Sequence, residues 1–411
     1  MSPFTVEVGS LSEASMESGQ TSKPSFRVTA TVALIALSGA WCAGNVGPVV
    51  SELAGEFDVS LAVVGTLAGT LFFGANVIGL VFAAQLGEKI GLVRALRLAC
   101  GLVLLGNLIF ALTPVFAGLA IGRILPGLGF ALTTTVGVVW ARDVGGVRLL
   151  GVFGAAIQFG IAGALLTGSL LSDGGVDWRV GFLISAALAA LAFVSIPPGA
   201  VSAPLPQKRS TGFLRLAFRH ARVYRLSLMF ISIYGVPMIL GAWLIEYLST
   251  DGDVSKTLAG LASFVLFGLS AASRAGGARL AGGGLGHTVL CGMLGLAAVG
   301  LAAIAIDPVV GTAFAGATLL AIGFGIPYAT ALTEAQDLYP EEPAEPLALM
   351  TLIALLLPIV VIPIVGHAIS RDSGDIAFGI LAVFLALATL ANLKRTGIAL
   401  TGPEPPAEDA V

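Results

Sequence analysis

Apolar residues run along this chain in long blocks, and polar residues gather in the short stretches between them. Twelve blocks reach about 18 residues, the length at which an apolar stretch indicates a membrane-spanning helix. We therefore predict twelve transmembrane helices, over residues 28–50, 60–85, 97–113, 115–139, 148–171, 179–197, 225–248, 256–275, 287–306, 309–332, 346–368 and 374–393.

One connection is much longer than the others and divides the spans into two sets of six. It is rich in proline at its start and basic at its end. We predict an all-α integral membrane protein with two pseudo-symmetric six-helix bundles around a central cavity. Its predicted parts are a cytoplasmic N-terminal tail (1–27), an N-terminal bundle (28–197), a cytoplasmic central loop (198–224), a C-terminal bundle (225–393) and a cytoplasmic C-terminal tail (394–411).

A faint internal repeat supports this division. The pattern Gly127-x-Gly129 of the fourth span returns as Gly323-x-Gly325 in the tenth, 196 residues later. Small residues recur in any membrane helix, but a shared offset favours a duplicated six-helix unit. The position that matches Arg123 in the second half is Leu319, so the predicted repeat leaves that charge in one half only.

The composition makes lipid the solvent for most of this chain. Hydrophobic residues form 56% of the 411 residues and charged residues only 11%, against about a quarter in a soluble domain. The mean hydropathy is +0.97. The three cysteines lie within apolar runs, and no metal-binding or nucleotide-binding motif is found. We expect no cofactor, no metal and no nucleic-acid partner.

Lys and Arg residues gather on one side of the predicted membrane. With a cytoplasmic N-terminus, all but four of the 21 lie in or beside cytoplasmic segments. The exceptions are Arg123 within the fourth span, and Arg179, Lys256 and Arg371 on the far side. Arg274, at the end of the eighth span, is counted as cytoplasmic. The positive-inside rule then predicts a multi-pass protein of a bacterial-type inner (plasma) membrane, with both termini in the cytoplasm.

Polar residues divide the spans into two groups. The ninth and twelfth spans carry almost none, the sixth only serine, and the third one asparagine, Asn107. We expect these helices to face lipid and the others to face an aqueous cavity. The candidate residues for contact with a solute or a coupling ion are Trp41, Asn45, Asn76, Arg123, Gln158, Tyr234, Trp243, Glu246 and Tyr328.

Two of these candidates have alternative interpretations. Arg123 lies well inside its span, where a charge costs about 2.5–3.5 kcal/mol on the insertion scale. Its guanidinium either bonds to neighbouring helices or supplies a positive charge to an anionic substrate or a nearby carboxyl group. Glu246, near the end of the seventh span, either sits at the aqueous rim or carries a proton.

Three further motifs resemble the major facilitator superfamily, and the resemblance covers most of the chain. The loop after the second span reads AQLGEKIGLVR, which resembles a degenerate form of the family's loop motif. Glu88 replaces the acid, Ala84 the leading glycine, Lys89 and Gly91 match the pattern, and the following basic residue is displaced to Arg94. Arg123 and Gly127 match its R-x-x-x-G pattern, and Trp178-Arg179 opens the sixth span. The resemblance implies that the loop charges hold the cytoplasmic helix ends together in the outward-facing state. The fifth span lacks the proline typical of drug/proton antiporters of the family.

These features together predict a secondary active transporter of a small organic solute, anionic or neutral, working by alternating access. The coupling ion is a proton, as symporter or antiporter, or transport is facilitated diffusion. The alternative is a proton-coupled multidrug or metabolite efflux antiporter. An integral membrane enzyme or a channel fits less well, because no catalytic cluster is visible and six helices are duplicated within one chain. We expect a monomer, with the solute and the bilayer as its partners.

Overall fold

The computed structural model describes residues 24–197, 221–282, 292–337 and 344–393, and every regular element within those ranges is helical. Within these described ranges, nine helices are long and apolar enough to cross a membrane, and two shorter apolar helices accompany them. The predicted tails and central loop fall almost entirely outside the described residues. The helices are α1 (Phe26–Glu56), α2 (Leu61–Ile90), α3 (Leu92–Leu112), a long helix (Phe116–Asp173), α6 (Arg179–Ser195), α7 (Val223–Thr250), α8 (Lys256–Gly282), α9 (Leu294–Ile306), α10 (Val310–Gln336), α11 (Ala344–Ile369) and α12 (Gly374–Leu393).

The long helix is two helices joined at a glycine pair. Gly145 and Gly146 have non-helical backbone angles, and Gly146 has φ +61, a conformation that favours glycine. The chain reverses there, which separates α4 (116–144) from α5 (147–173). The described residues therefore contain twelve helical segments in the predicted order.

Several helices depart from α geometry inside the apolar region. α1 stops at Gly44 and resumes through a short 3₁₀ turn, Gly47–Val49. π-helical turns interrupt α2 at Thr66–Leu71, α4 at Thr133–Gly137 and α7 at Ile231–Gly235. Such interruptions remove carbonyl groups from the regular hydrogen-bond ladder, so other groups must satisfy them.

The packing separates helices that stay within one half from helices that cross between halves. The main contacts of α3, α6, α9 and α12 are with helices of their own half, and their outer faces carry exposed leucine and valine side chains. Contacts between residues 24–197 and residues 221–393 come chiefly from α5 against α8, α2 against α11, and α1 against α7. This arrangement agrees with the lipid-facing role predicted for every third helix.

The repeated glycine pattern does not keep its packing. Gly127 lies against α2 and Gly129 against α3, whereas Gly323 lies against α9 and Gly325 against α8. If α8 and α9 correspond to α2 and α3, the two glycines have exchanged partners. The sequence pattern therefore repeats after 196 residues, but the matched glycines do not pack against corresponding helices.

The bundle has two different ends. At the end where α1 stops and α2 begins, the two halves are joined by hydrogen bonds and an ion pair, and we call it the latched end. At the opposite end, where α2 stops at Ile90 and α3 begins, the described residues of the two halves form no hydrogen bond or ion pair with each other. We call it the unlatched end.

Candidate functional site

Arg123 is buried in the first half, and each of its three guanidinium nitrogens donates a hydrogen bond. Nε donates to the Leu67 carbonyl at 3.3 Å, Nη1 to Oδ1 of Asn45 at 3.1 Å and Nη2 to the Cys42 carbonyl at 3.0 Å. Its guanidinium also lies 4.4 Å from the ring centre of Phe72. The side chain is only 1% exposed. Groups of α1 and α2 therefore satisfy this cation.

The partners of Arg123 are groups that the local helix geometry leaves without a regular bond. Cys42 is in the last turn of the first segment of α1, where carbonyls have no partner further along the helix. Leu67 lies in the π-helical turn of α2. The arginine caps both interruptions at once, which offsets the cost of placing it in the apolar region.

A buried polar network continues from Arg123 through the first half. Nδ2 of Asn45 donates to Oδ1 of Asn107 at 3.1 Å. Asn107 in turn donates to the Val103 carbonyl at 2.7 Å and to Sγ of Cys42 at 3.2 Å, and Ser185 lies 3.6 Å from the same sulfur. The network joins α1, α3, α4 and α6. The polar residues of the lipid-facing helices α3 and α6 are thus used on their inner faces.

The other candidates of the first half lie apart from one another. Trp41 packs against Gly163 of α5 and borders, with Asn45, a void of about 10 Å³, room for about one water molecule. Asn76 donates to the Gly127 carbonyl at 3.4 Å and so ties α2 to α4. Gln158 is buried on α5 and has no hydrogen bond among the described residues.

Glu246 lies at the latched end, in the contact between the halves. The Ser51 hydroxyl of α1 is 2.7 and 2.6 Å from its two carboxylate oxygens. Lys256 donates to Oε1 of Glu52 at 2.8 Å, and the Thr257 amide donates to Asp173 at 2.6 Å. We call these residues the latch. Since Glu246 is 3% exposed, its carboxylate is enclosed rather than at the open rim.

Trp243 closes the same end below the latch. Its Nε1 donates to the Ile362 carbonyl at 2.8 Å, and its ring lies against Gly65 of α2 and Gly366 of α11. Added side-chain atoms at either glycine would collide with the ring. Thr70 of α2 donates to the Ile359 carbonyl of α11 at 2.8 Å, which adds a further bond between the halves.

A concavity of about 380 Å³ also lies at the latched end, at the edge of the second half. Tyr247, Asp251, Pro308 and Asp375 are among its lining residues. Burial, with a contribution from nearby carboxylates, raises the pKa of Asp251 above its usual value. None of the described lining residues is a cation or belongs to the first half, so the concavity is separate from the contact between the halves.

The loop motif lies at the unlatched end. Glu88, Lys89 and Arg94 are exposed and form no ion pair with any described residue. Gly91 has φ +86, which explains why glycine occupies the turn between α2 and α3. The charges are placed where they would contact neighbouring helix ends if this end closed.

Tyr234 and Tyr328 of the second half lie near a residue that sequence reasoning missed. The guanidinium of Arg274, on α8, lies 4.2 Å from the ring centre of Tyr328 on α10. Tyr234 stands in the π-helical turn of α7, which packs against α10. All three side chains are partly buried. Nε of Arg274 is buried and has no hydrogen-bond partner among the described groups.

The structure thus brings six of the nine candidates together in three groups, and Trp41, Asn76 and Gln158 belong to none of them. Arg123 and Asn45 are joined in the network of the first half, Trp243 and Glu246 close the latched end, and Tyr234 and Tyr328 flank Arg274. Arg274 was missed because it stands at the end of its predicted span, where positive residues are expected. One signal was present: the connection that follows it contains no acidic residue.

Comparison with known proteins places this fold in a family. The family model of the major facilitator superfamily matches residues 32–352, more than three-quarters of the chain. The chain belongs to this superfamily. A probable plastidic glucose transporter 3 of Arabidopsis thaliana is 28% identical over 133 residues, which are 31% of this chain and 26% of that protein. The match spans about a quarter of that relative.

Solved structures with this fold cover nearly the whole chain. A bacterial homolog of the human lysosomal transporter Spinster, inward-facing and unoccupied, has a TM-score of 0.71 at 16% identity over 89% of this chain and 95% of that one. A D-xylose–proton symporter has a TM-score of 0.71 at 14% identity, over 89% and 97% of the two chains. At such identities the likeness concerns the fold. It accounts for the order and packing of the helices.

Proposed function

We propose that this protein is a secondary active transporter that moves a small organic solute across a membrane by alternating access. Membership of the superfamily supports transport, and the similar proteins, which include a probable glucose transporter and a D-xylose–proton symporter, support a small organic solute. The proposal leaves open whether the solute is anionic or neutral.

The observation that carries the proposal is the one-sided connection between the halves. All described hydrogen bonds and ion pairs that join residues 24–197 to residues 221–393 lie between the latched end and the level of Thr70. These polar contacts, and the packing of Trp243 against α2 and α11, must separate for this end to open. A bundle held together at one end and apart at the other is one of the two states of an alternating-access cycle.

The distribution of Lys and Arg assigns the two ends to the two sides of the membrane. The positive-inside rule supports a cytoplasmic unlatched end and cytoplasmic termini. The described state is then inward-facing. The protein is proposed to be a monomer in an inner (plasma) membrane, with exposed loop charges Glu88, Lys89 and Arg94 available to hold the cytoplasmic end in the opposite state.

The coupling ion in this proposal is a proton, and a carboxylate of the second half supports it. Glu246 is a carboxylate enclosed between the halves, and its contact with Ser51 must open when the latched end opens. Protonation would weaken that contact and so connect proton binding to the conformational change. Facilitated diffusion is the remaining mode, in which a pH gradient has no effect on accumulation.

Reconstitution tests the proposal. Purified protein in proteoliposomes is given labelled sugars, nucleosides and organic acids, with and without a pH gradient, and uptake is compared with empty liposomes. We expect saturable uptake or exchange of at least one solute. A matched control carries Asp173→Cys and Thr257→Cys across the latch, joined by a short thiol cross-linker, and should transport only after the linker is cleaved. Uptake that persists in the linked protein, or no uptake of any solute, contradicts the proposal.

A further inference from the structure

Arg274 differs from every other partly buried cation that the structure describes. The other Lys and Arg side chains classed as buried or partly buried all have hydrogen-bond partners: Arg97 with the Ile196 carbonyl, Arg123 with three oxygens, Arg179 with Glu56, Arg225 with Glu334, and Lys256 with Glu52. Arg274 has no hydrogen bond and no ion pair within the described part of the chain. The guanidinium of Arg274 lies over the ring of Tyr328, 4.2 Å from its centre.

Leaving a guanidinium without acceptors in this position is costly. Its Nε–H is a buried donor without an acceptor among the described groups, and leaving such a donor unsatisfied is unfavourable. The ring of Tyr328 contributes a cation–π contact with the guanidinium but accepts no hydrogen bond from the N–H groups at its edge. The described residues therefore position the guanidinium of Arg274 but provide no acceptor for its N–H groups.

The surroundings of Arg274 are suited to a ligand that reaches the site from the unlatched end. It lies 18 residues along α8 from Lys256, or about 27 Å from the latched end. Three helices, α7, α8 and α10, contribute Tyr234, Arg274 and Tyr328. The two phenol groups carry hydroxyl donors, so the three side chains together offer donors and one positive charge.

We propose that Arg274, together with Tyr234 and Tyr328, binds the carboxylate of a small organic monocarboxylate solute. This deepens the proposed transport function and rests on it. The planar guanidinium fork matches a carboxylate with two parallel hydrogen bonds. One positive charge compensates one negative charge, so a doubly charged phosphate ester would leave an uncompensated charge in a region of low dielectric constant. The chemistry of the group therefore favours a monoanion.

Binding is tested apart from transport, on the full-length protein in detergent. The probes are pyruvate, benzoate and nicotinate, each paired with its neutral amide, with inorganic phosphate as an additional anion. Thermal stabilisation and equilibrium binding are measured for the wild type, Arg274→Gln, Arg274→Lys and Tyr328→Leu. The matched control is Arg279→Gln, which removes an exposed positive charge five residues further along the same helix.

We expect at least one carboxylate to bind to the wild type and to Arg279→Gln, and its amide to bind much more weakly. Arg274→Gln should weaken carboxylate binding by roughly 10- to 100-fold, the cost of a lost charged hydrogen bond. Arg274→Lys should retain part of the affinity. Tyr328→Leu should weaken binding while keeping the charge, so it tests the site even if Arg274→Gln does not fold.

Three results overturn the carboxylate site: binding of no carboxylate, amides that bind as tightly as acids, or equal affinity in Arg274→Gln and the wild type. Parallel uptake assays separate this proposal from the proposed function. Transport of a neutral solute without carboxylate binding would support the proposed transport function and contradict the carboxylate site. Carboxylate binding that depends on Arg274, without uptake of any solute, would support the carboxylate site and contradict the proposed transport function.

Discussion

Arg123 and Arg274 place the same side chain in the apolar part of the two halves, with opposite consequences. Both guanidinium groups stack on an aromatic ring, at 4.4 Å from Phe72 and 4.2 Å from Tyr328. Arg123 donates to three oxygens and is enclosed, whereas Arg274 is partly exposed and has no acceptor among the described residues. The difference lies in the neighbouring backbone.

The neighbouring helices explain the difference. Around Arg123, α1 stops at Gly44 and α2 widens at Thr66–Leu71, and each interruption turns a carbonyl toward the cation. The helices beside Arg274 also depart from regular geometry, with a π-helical turn at Ile231–Gly235 in α7 and Pro327 inside α10, but no described carbonyl of theirs accepts from the guanidinium. An arginine in an apolar helix is therefore structural where neighbouring carbonyls are turned toward it, and available for a ligand where they are not.

The largest expected effect is on folding, from Arg123→Ala. The change leaves the Cys42 and Leu67 carbonyls and Asn45 without their donor, at about 1–3 kcal/mol for each unsatisfied buried group. We expect a loss of at least about 3 kcal/mol in unfolding free energy, measured in mixed micelles, and a smaller loss for Arg123→Lys. Arg279→Ala is the exposed control. A stable Arg123→Ala protein that has lost solute binding would instead give Arg123 the substrate role.

The next effect is on solute handling, from Arg274→Gln. Uptake of a carboxylate at low concentration should fall by roughly 10- to 100-fold, because the charged hydrogen bonds of the solute are lost. The unfolding free energy should change little, because loss of the ring contact is offset by removal of a cation whose buried Nε–H has no acceptor among the described residues. A large loss of stability with unchanged uptake would make Arg274 a structural residue like Arg123.

A smaller effect is expected on the balance of the two states, from Ser51→Ala. Loss of the hydroxyl that bonds to Glu246 should weaken the latch by about 1.5–3 kcal/mol and shift the population toward the state open at that end by roughly tenfold or more. Spin labels at the exposed positions Val176 and Ile306 report the distance between the halves. Ser249→Ala, whose hydroxyl bonds only within its own helix, should leave that distance distribution unchanged.

The smallest effect belongs to the network behind Arg123. Asn107→Ala removes bonds to Asn45, Val103 and Cys42, and should cost about 1–2 kcal/mol, the range for side-chain bonds between membrane helices. Carboxylate affinity should not change, since the network lies away from Arg274. A parallel loss of affinity and stability in this variant would connect the two arginines and remove the distinction drawn between them.

Much of the fold follows from the sequence because lipid leaves the backbone few choices. A segment in the hydrocarbon region must bond its own backbone groups, so long apolar blocks become helices in chain order. The predicted fourth and fifth spans merge in one long helix in the structure, divided only at Gly145–Gly146, and the apolar pattern still placed the division. Polarity correctly indicated that α3, α6, α9 and α12 pack within their own half.

The candidate site was less predictable from the sequence, because hydropathy indicates how deep a residue lies in the membrane but not which residues it contacts. Arg123 was predicted to be unusual and Asn45 to be a candidate for solute contact, but the break after Gly44 and the π-helical turn of α2 have no clear sequence signal. Arg274 was assigned to the cytoplasm because a charge at the end of a span usually lies in water. Its ring contact with Tyr328 depends on how α8 packs against α10, which no local pattern reveals.

The most direct test of this account compares carboxylate binding by Arg274→Gln and Arg123→Lys in one assay, with each protein normalised to its folded fraction. The account predicts that Arg274→Gln loses most of the affinity of the wild type and that Arg123→Lys, though less stable, keeps it. The opposite result, with affinity lost in Arg123→Lys and kept in Arg274→Gln, would contradict the assignment of one arginine to structure and the other to the solute.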